Sequence, residues 1–299
     1  MKASTRITFF DDQGEKFFGE GPARLLRGVE EQGSLRSAAM AMGMAYTKAM
    51  KLVKQAESSL GYSLIARTTG GKDGGGSILT PEGKRWLLTY EAYRDACVKS
   101  NQALYRQFFP QIGCVIMASG LGKRFGSNKL MADFHGTPLI QRALDATEGL
   151  FAHRVVVTRH ESVAALCRAK NVDVVFHDLP HRSDTVRLGL EALPELDACL
   201  FLPGDQPLLR RETVSMLLET RKEYPDRIIR PAYEDTEGSP VLFPAWAFPA
   251  LLNLPEGKGG GAVIRQHPQQ VYRVSISNPF ELADADTPEA LALLAQLSE

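Results

Sequence analysis

Three glycines, Gly120, Gly122 and Gly126, alternate with Lys123 and Arg124 and lead to Lys129, directly behind the apolar run Cys114 to Ala118. Glycine lets backbone N–H groups turn inward and approach a ligand closely, so a loop of this composition can cradle phosphates. The cations add charge-assisted contacts where a polyphosphate would lie. Three readings are open for the stretch. A plain connector rarely follows a buried strand directly while carrying three cations in seven residues. A dinucleotide-binding turn, of which Gly120-x-Gly122-x-x-x-Gly126 is a near relative, needs its last glycine inside a helix packed on the strand. Here helical spacing resumes only near Pro138. A long phosphate-holding loop closed by a lysine fits best.

Ala118-Ser-Gly-x-Gly-x-Arg-Phe-Gly-x-x-Lys129 resembles the Leu-Ala-Ala-Gly-x-Ser-x-Arg-Met-Gly-x-x-Lys signature of the nucleotidyltransferases that mature molybdenum cofactor. Gly204-Asp-Gln-Pro207, behind the apolar run Ala198 to Leu202, is similar to that family's metal-binding turn. Leu282-Ala-Asp-Ala-Asp-Thr-Pro-Glu289 resembles its late Asp-Ile-Asp-Thr-Pro-Glu-Asp. The resemblance runs from about Ile112 to the C-terminus. It implies transfer of a nucleotide from a triphosphate with release of pyrophosphate.

On that resemblance Ala118, Ser119, Gly120, Leu121 and Gly122, with Arg124, Lys129 and Gln206, would hold the nucleotide. Arg124, Lys129 and Asp205 would be catalytic, stabilising charge that builds on the leaving pyrophosphate. Asp205 and Asp284 would bind Mg2+, a hard cation suited to carboxylates plus substrate phosphates. Asp286 is the fallback ligand. Asp286-Thr-Pro-Glu289 also reads as a helix start, so Asp286 is expected as a cap ahead of Pro288.

The alanine-type loop start and Gly-Asp-x-Pro look more like the cytidylyl than the guanylyl enzymes. His181-Arg-Ser-Asp-Thr-Val-Arg-Leu-Gly-Leu190 is also similar to a run in the cytidylyltransferases of isoprenoid biosynthesis. It would set Thr185 against a pyrimidine, making CTP the expected donor; read locally, it is a helix start with Ser183 as cap and Asp184 favouring the dipole. On the acceptor side the family's Gly-His-Pro stands here as Gly238-Ser-Pro240, and its Asp-x-Gly-Ala-Arg as Gly257-Lys-Gly-Gly-Gly261. The acceptor implied is molybdenum cofactor (molybdopterin); another phosphorylated acceptor, such as a methylerythritol-type sugar phosphate, stays open.

These residues need a scaffold that brings loop ends together. Strand patterns fall at 112–118, 154–158, 173–176, 197–202, 228–231, 240–243 and 271–276. Helical patterns fall near 138–147, 161–170, 184–193, 211–223, 245–252, 260–267 and 288–298. This alternation predicts an α/β, doubly wound (Rossmann-like), mainly parallel sheet over residues 111–299, with ligands at the carboxyl ends of its strands.

Residues 1–110 read differently. Arg6 to Phe10 suggests a strand, Asp11 to Gly21 turn, and Ala23 to Glu31 a helix. Ser34 is a good N-cap for Leu35 to Met42, Gly43-Met44-Ala45 breaks the chain, and Tyr46 to Leu60 resumes helical spacing. Strand-like 64–69 and 77–80 flank a glycine-rich wing, and Pro81 opens a long helix to about Phe108. Gly33-Ser-Leu-x-x-Ala-Ala39, Gly43-Met44, Arg67-Thr-Thr-Gly-Gly-Lys-x-Gly-Gly-Gly76 and Leu79-Thr-Pro81 resemble the winged helix-turn-helix domain of the molybdate-responsive transcriptional regulator. The resemblance implies binding of double-stranded DNA through Tyr46, Thr47, Lys48 and Lys51, with Arg67 and Lys72 on the backbone. Ala45 stands where the family has a serine cap, a change that typically costs ~1 kcal/mol. The long helix carries more apolar positions than a small winged domain buries, which predicts a homodimer.

The net charge of zero divides unevenly: residues 1–110 hold 16 Lys and Arg against 11 Asp and Glu, the remainder 19 against 24. No apolar run reaches the ~18 residues of a membrane span. No secretory signal is read at the N-terminus. The four cysteines show no paired spacing and are expected reduced, as in a cytoplasmic protein. A transcriptional regulator whose second domain senses nucleotide or cofactor is the alternative from another class.

Overall fold

The computed structural model describes residues 3–68, 76–122 and 124–297; Lys72, expected on DNA, lies outside them. The chain divides into two compact units, Met1–Phe109 and Pro110–Glu299.

The first unit opens on a hairpin of β1 (Thr8–Phe10) and β2 (Lys16–Gly19). Residues 11–21, read as turn, therefore contain a strand. Its four residues are too few to show alternation, and it is held by burial of Phe18 against Trp86 and Tyr90. Helices α1 (Glu20–Gln32), α2 (Leu35–Ala41) and α3 (Tyr46–Leu60) follow. Leu25, Val29, Leu35, Ala38, Ala49 and Val53 form their shared core. Ser34 Oγ accepts from Ser37 N at 3.3 Å, whereas Ala45 leaves the start of α3 without a side-chain cap. Strands β3 (Ile65–Thr68) and β4 (Gly76–Leu79) pair antiparallel beneath α4 (Pro81–Phe108). Thr80 caps α4 by accepting from Gly83 N at 2.9 Å. Leu87 and Tyr90 are buried, while Leu88, Tyr93, Leu104 and Phe108 of the same helix are exposed.

The second unit is three layers. Its sheet runs β9 (Asp173–Phe176), β8 (His153–Thr158), β5 (Ile112–Ala118), β10 (Ala198–Pro203), β13 (Val241–Pro244), β11 (Ile228–Tyr233). The first four are parallel; β13 is antiparallel to β10 and β11, β14 (Val271–Ser275) is parallel to β11, and the short β12 (Thr236–Glu237) is antiparallel to it. The sheet is mainly parallel, as the alternation predicts, but which strand is reversed was not legible in the sequence. An apolar run reads alike in either direction, so only its partners decide.

Side chains of period two feed both faces. Cys114, Ile116, Val156, Leu200 and Leu202 point to one core with α5 (Ile140–Thr147), α6 (Glu161–Ala169) and α8 (Arg211–Glu223). Val115, Val155, Val157, Cys199 and Phe201 point to the other with α7 (Arg182–Glu191), α9 (Phe248–Leu252) and α10 (Gly261–Gln266). A small hairpin of β6 (Asp133–Phe134) and β7 (Thr137–Pro138) precedes α5, so the helix starts at Ile140 and not at Pro138. The last helix, α11 (Pro288–Gln296), packs Leu291 and Leu294 against Phe134 and Leu139.

Candidate active site

The register of the parallel strands sets Ala118 beside Thr158 and Met117 beside Pro203 at one edge, where the chain leaves β5, β8 and β10. A cleft of about 810 Å³ opens there. Its walls include Ser119, Gly120, Leu121, Gly122, Arg124 and Lys129 from the glycine loop, Asp205 and Gln206 behind β10, Thr185 of α7, and Asp284 and Asp286. Gly122 has φ of 57°, and a Cβ there would meet Ser127 O at 2.8 Å, so this turn requires glycine. Ala118 is buried and does not line the cleft; its carbonyl accepts from Thr158 Oγ1 at 2.9 Å.

Lys129 is the centre of the charge. Its Nζ donates to Asp205 Oδ2 and, at 2.9 Å, to Asp286 Oδ1. Burial by itself pushes the ammonium down; the charges of Asp205 and Asp286 outweigh it and hold the pKa above the ordinary value. Arg124 donates to the other oxygen of Asp286. The hydrogen bond from Lys129 first, with Arg124 adding to it, holds the Asp286 carboxyl below the usual range.

Asp286 is thus not the helix cap expected of it. Thr287 takes that place, its Oγ1 accepting from Ala290 N at 3.2 Å, and Asp286 is left to face the two cations. A second cap also moves. Ser183 lies within α7, and the helix start is closed by Asp184 Oδ2 accepting from His181 N at 3.1 Å.

Asp284 keeps a wet surface on the cleft, but protein crowds its other sides. That burial, then the negative charge of Asp205, raises its carboxyl pKa, against the hydrogen bond donated by Gln206 Nε2 at 3.1 Å. Ala285 N donates to Asp205 O at 2.9 Å and ties the two aspartate segments together. The Gln206 Oε1 atom is buried with no hydrogen-bond partner. Two carboxylates that repel each other beside an orphaned amide oxygen make a hard, oxygen-only donor set, which fits a small divalent cation. Among the described residues no group of three or more His, Cys, Asp or Glu forms a metal cage.

At the far end the cleft is walled by Arg182, Arg230, Glu237, Gly238 and Ser239. Arg230 donates to Gly238 O at 3.0 Å and to Glu237 at 2.8 Å. Of the glycine-rich run at 257–261, Gly259 lies against Arg182, where a Cβ would sit 3.0 Å from Nε. Arg230 and Glu237 carried no motif and were missed from the sequence, as was His177, which bonds Ser119, while Arg182 opens the run matched to the cytidylyltransferases but was given no role there.

In the first unit Tyr46, Thr47, Lys48 and Lys51 are exposed along α3, and Arg67 is exposed on β3. Arg36 of α2, not anticipated, lies over the Tyr46 ring at 5.5 Å.

A glycine loop behind β5 of a doubly wound sheet, facing Asp205 behind β10 and Asp284 and Asp286 ahead of α11, defines a nucleotidyltransferase domain. Residues 114–271 match the model of the MobA-like NTP transferase domain, and the chain belongs to that family. Residues 23–84 match the bacterial regulatory helix-turn-helix protein, lysR family.

A probable molybdenum cofactor guanylyltransferase of Aquifex aeolicus is 28% identical over 111 residues, 37% of this chain and 54% of that protein. A 3-deoxy-manno-octulosonate cytidylyltransferase of Neisseria meningitidis is 32% identical over 116 residues, 36% and 44% respectively. The chain thus spans about half the length of the curated relatives it matches. Rv0371c of Mycobacterium tuberculosis H37Rv is similar in structure with a TM-score of 0.57 at 22% identity, covering 62% of this chain and 98% of that one. Rv0371c was also solved with manganese, at a TM-score of 0.51, 21% identity and the same coverage. At these identities the structural likeness speaks for the fold. Among the described residues no helix is long and apolar enough to cross a membrane.

Proposed function

We propose that the second unit transfers CMP from CTP to molybdenum cofactor, releasing pyrophosphate, and that the first unit is a DNA-binding regulatory module. The observation that carries the transferase reading is the bonding of Lys129 to Asp205 and Asp286 under the glycine loop. An ammonium has three protons. Two are given to carboxylates, and the third is available to a phosphate oxygen in the cleft.

In this reading Arg124, Lys129 and the N–H groups around Gly120 and Gly122 hold the triphosphate, and Asp205 and Asp284 hold Mg2+. Bound there, the ion would neutralise phosphate charge that otherwise repels an anionic acceptor. An acceptor phosphate oxygen attacks the α-phosphorus as the bond to the β-phosphate oxygen breaks. Lys129 and Arg124 stabilise the charge that moves onto the leaving group. Thr185, Ser119 and Leu121 border the space for the base, and Arg182, Arg230 and Ser239 border the acceptor.

The exposed Tyr46, Thr47, Lys48, Lys51 and Arg67 support DNA contact. The exposed apolar positions of α4 support a homodimer, and the chain's composition a cytoplasmic site. Gly238-Ser-Pro240 and the uncharged ends of the 257–261 run favour a second reading, in which the cleft binds nucleotide or cofactor as an effector without turnover.

The test is pyrophosphate release from each triphosphate in the presence of Mg2+ and molybdenum-loaded pterin. CTP should exceed GTP and ATP by at least ~100-fold in kcat/KM, because a site built to hydrogen-bond one base leaves buried groups unpaired with another. Equal use of GTP would move the chain to the guanylyl branch. Nucleotide binding without pyrophosphate would favour the sensor.

A further inference from the structure

His177, at the carboxyl end of β9, is buried between the glycine loop and α7 and belongs to none of the motifs. Its Nε2 lies 2.8 Å from Ser119 Oγ. Its Nδ1 accepts from Leu179 N at 3.2 Å. A nitrogen that accepts carries no proton, so in the neutral ring the proton is on Nε2 and is donated to Ser119. Ser119 Oγ in turn donates to Val157 O at 3.0 Å. Both hydrogen-bonding ends of the imidazole and the hydroxyl proton are therefore used. This tautomer cannot take a proton from Ser119, so a Ser–His pair within bonding distance is here a brace and not an activated nucleophile.

The brace joins two walls of one cleft. Ser119 begins the glycine loop, and Leu179, Pro180, His181 and Arg182 form the facing wall ahead of Thr185. Arg159 fastens the same segment by donating to Asp178 O at 3.2 Å and to Leu179 O. We propose that His177 is a positioning residue which, through Ser119 and the Leu179 amide, sets the gap in which the nucleobase is held. The proposal deepens the nucleotide-binding reading and rests on it for its ligand.

The same geometry gives the brace a pH dependence. A second proton on Nδ1 would oppose the Leu179 N–H, and the segment would be released. The charged groups acting on the ring are Arg159 behind β8, Asp178 beside it, and Asp184 and Arg187 of α7. Burial, then Arg159, holds the imidazole pKa below its ordinary value, against Asp184 and Asp178. Near neutral pH the brace is closed, and it opens on acidification below the ordinary histidine pKa of ~6.5.

The test uses the full chain, with affinity for Mg2+–CTP measured by calorimetry from pH 8 to 5.5 and hydrogen exchange followed across 177–182 without ligand. Wild-type affinity should fall toward the acid end, with the roughly tenfold loss of one hydrogen bond as its limit when the ring is fully protonated. His177→Asn presents a non-titrating acceptor to the Leu179 amide, so its affinity and exchange should be flat with pH. Ser119→Ala and His177→Gln should each raise KM about tenfold with little change in kcat, and together no more than either alone. Acid-induced exchange of 177–182 that persists in His177→Asn would overturn the proposal, as would wild-type affinity in Ser119→Ala. If the wild type binds no triphosphate at any pH, the nucleotide reading fails, and the proposal fails with it as a base-positioning device. A pH-dependent exchange absent from His177→Asn would then leave only a structural brace.

Discussion

Lys129 Nζ donates to Asp286 Oδ1 at 2.9 Å, joining residues 157 apart in sequence, and Arg124 donates to the other oxygen of the same carboxylate. Asp286 therefore holds Arg124 and Lys129 of the glycine loop toward the cleft. Asp286→Asn should keep the size of the side chain and lose its charge, loosening Arg124 and leaving Lys129 with Asp205. The expected effect is a rise in KM for the triphosphate of about tenfold, as one charge-assisted contact is worth roughly 1.5–3 kcal/mol at most. Lys129→Met should cost about 10²–10³ in kcat, since the donor to the leaving group is gone. Steady-state kinetics on the two variants would show it; unchanged constants in Asp286→Asn would mean that the contact does not guide the cations.

Asp205→Ala removes one proposed Mg2+ ligand and one partner of Lys129. Pyrophosphate release should drop to background, while binding of the triphosphate without metal survives. Calorimetry with and without Mg2+ separates the two. Near-normal turnover in this variant would remove Asp205 from the site.

The cysteines divide by burial. Cys114, Cys167 and Cys199 are buried, and Cys97 on α4 is partly exposed. Burial pushes the Cys114 thiol up to about 12, and Cys199 well above its ordinary value. A group with its pKa raised this far holds its proton at pH 8, and the thiolate is the reactive form. Alkylation of the native chain should modify Cys97 alone, with all four reacting after unfolding. Mass spectrometry counts the adducts; early labelling of Cys114 would show that β5 opens readily.

DNA binding by the first unit should depend steeply on salt. Lys48 and Lys51 on α3 and Arg67 on β3 would displace phosphate counterions, and a dimer doubles their number. Between 50 and 200 mM salt, about 6–10 phosphate contacts imply a loss of roughly 10³–10⁵ in affinity. Ala45→Ser should add the missing cap of α3 and stabilise the first unit by ~1 kcal/mol. Titration of palindromic duplexes, with sedimentation of the full chain for its mass, tests both claims. A monomer at micromolar concentration would defeat the dimer.

Much of this was legible before any fold was known. Residues that act through their own neighbours announce themselves: the glycines that let the 120–126 backbone turn, the unbroken apolar runs of 114–118 and 198–202, and Ser34 ahead of α2. These are local demands, and a one-dimensional pattern is enough to state them. Tertiary structure alone decided the rest. Asp286 and Thr287 are both competent caps, and the choice between them fell to the distant Lys129 and Arg124, which claim the carboxylate. The direction of β13 depended on β10 and β11, because an apolar run carries no arrow. His177 is a lone histidine in sequence. It acquires a tautomer and a role only where Ser119 and the Leu179 amide meet it, since a hydrogen bond is set by position in space and not by spacing along the chain.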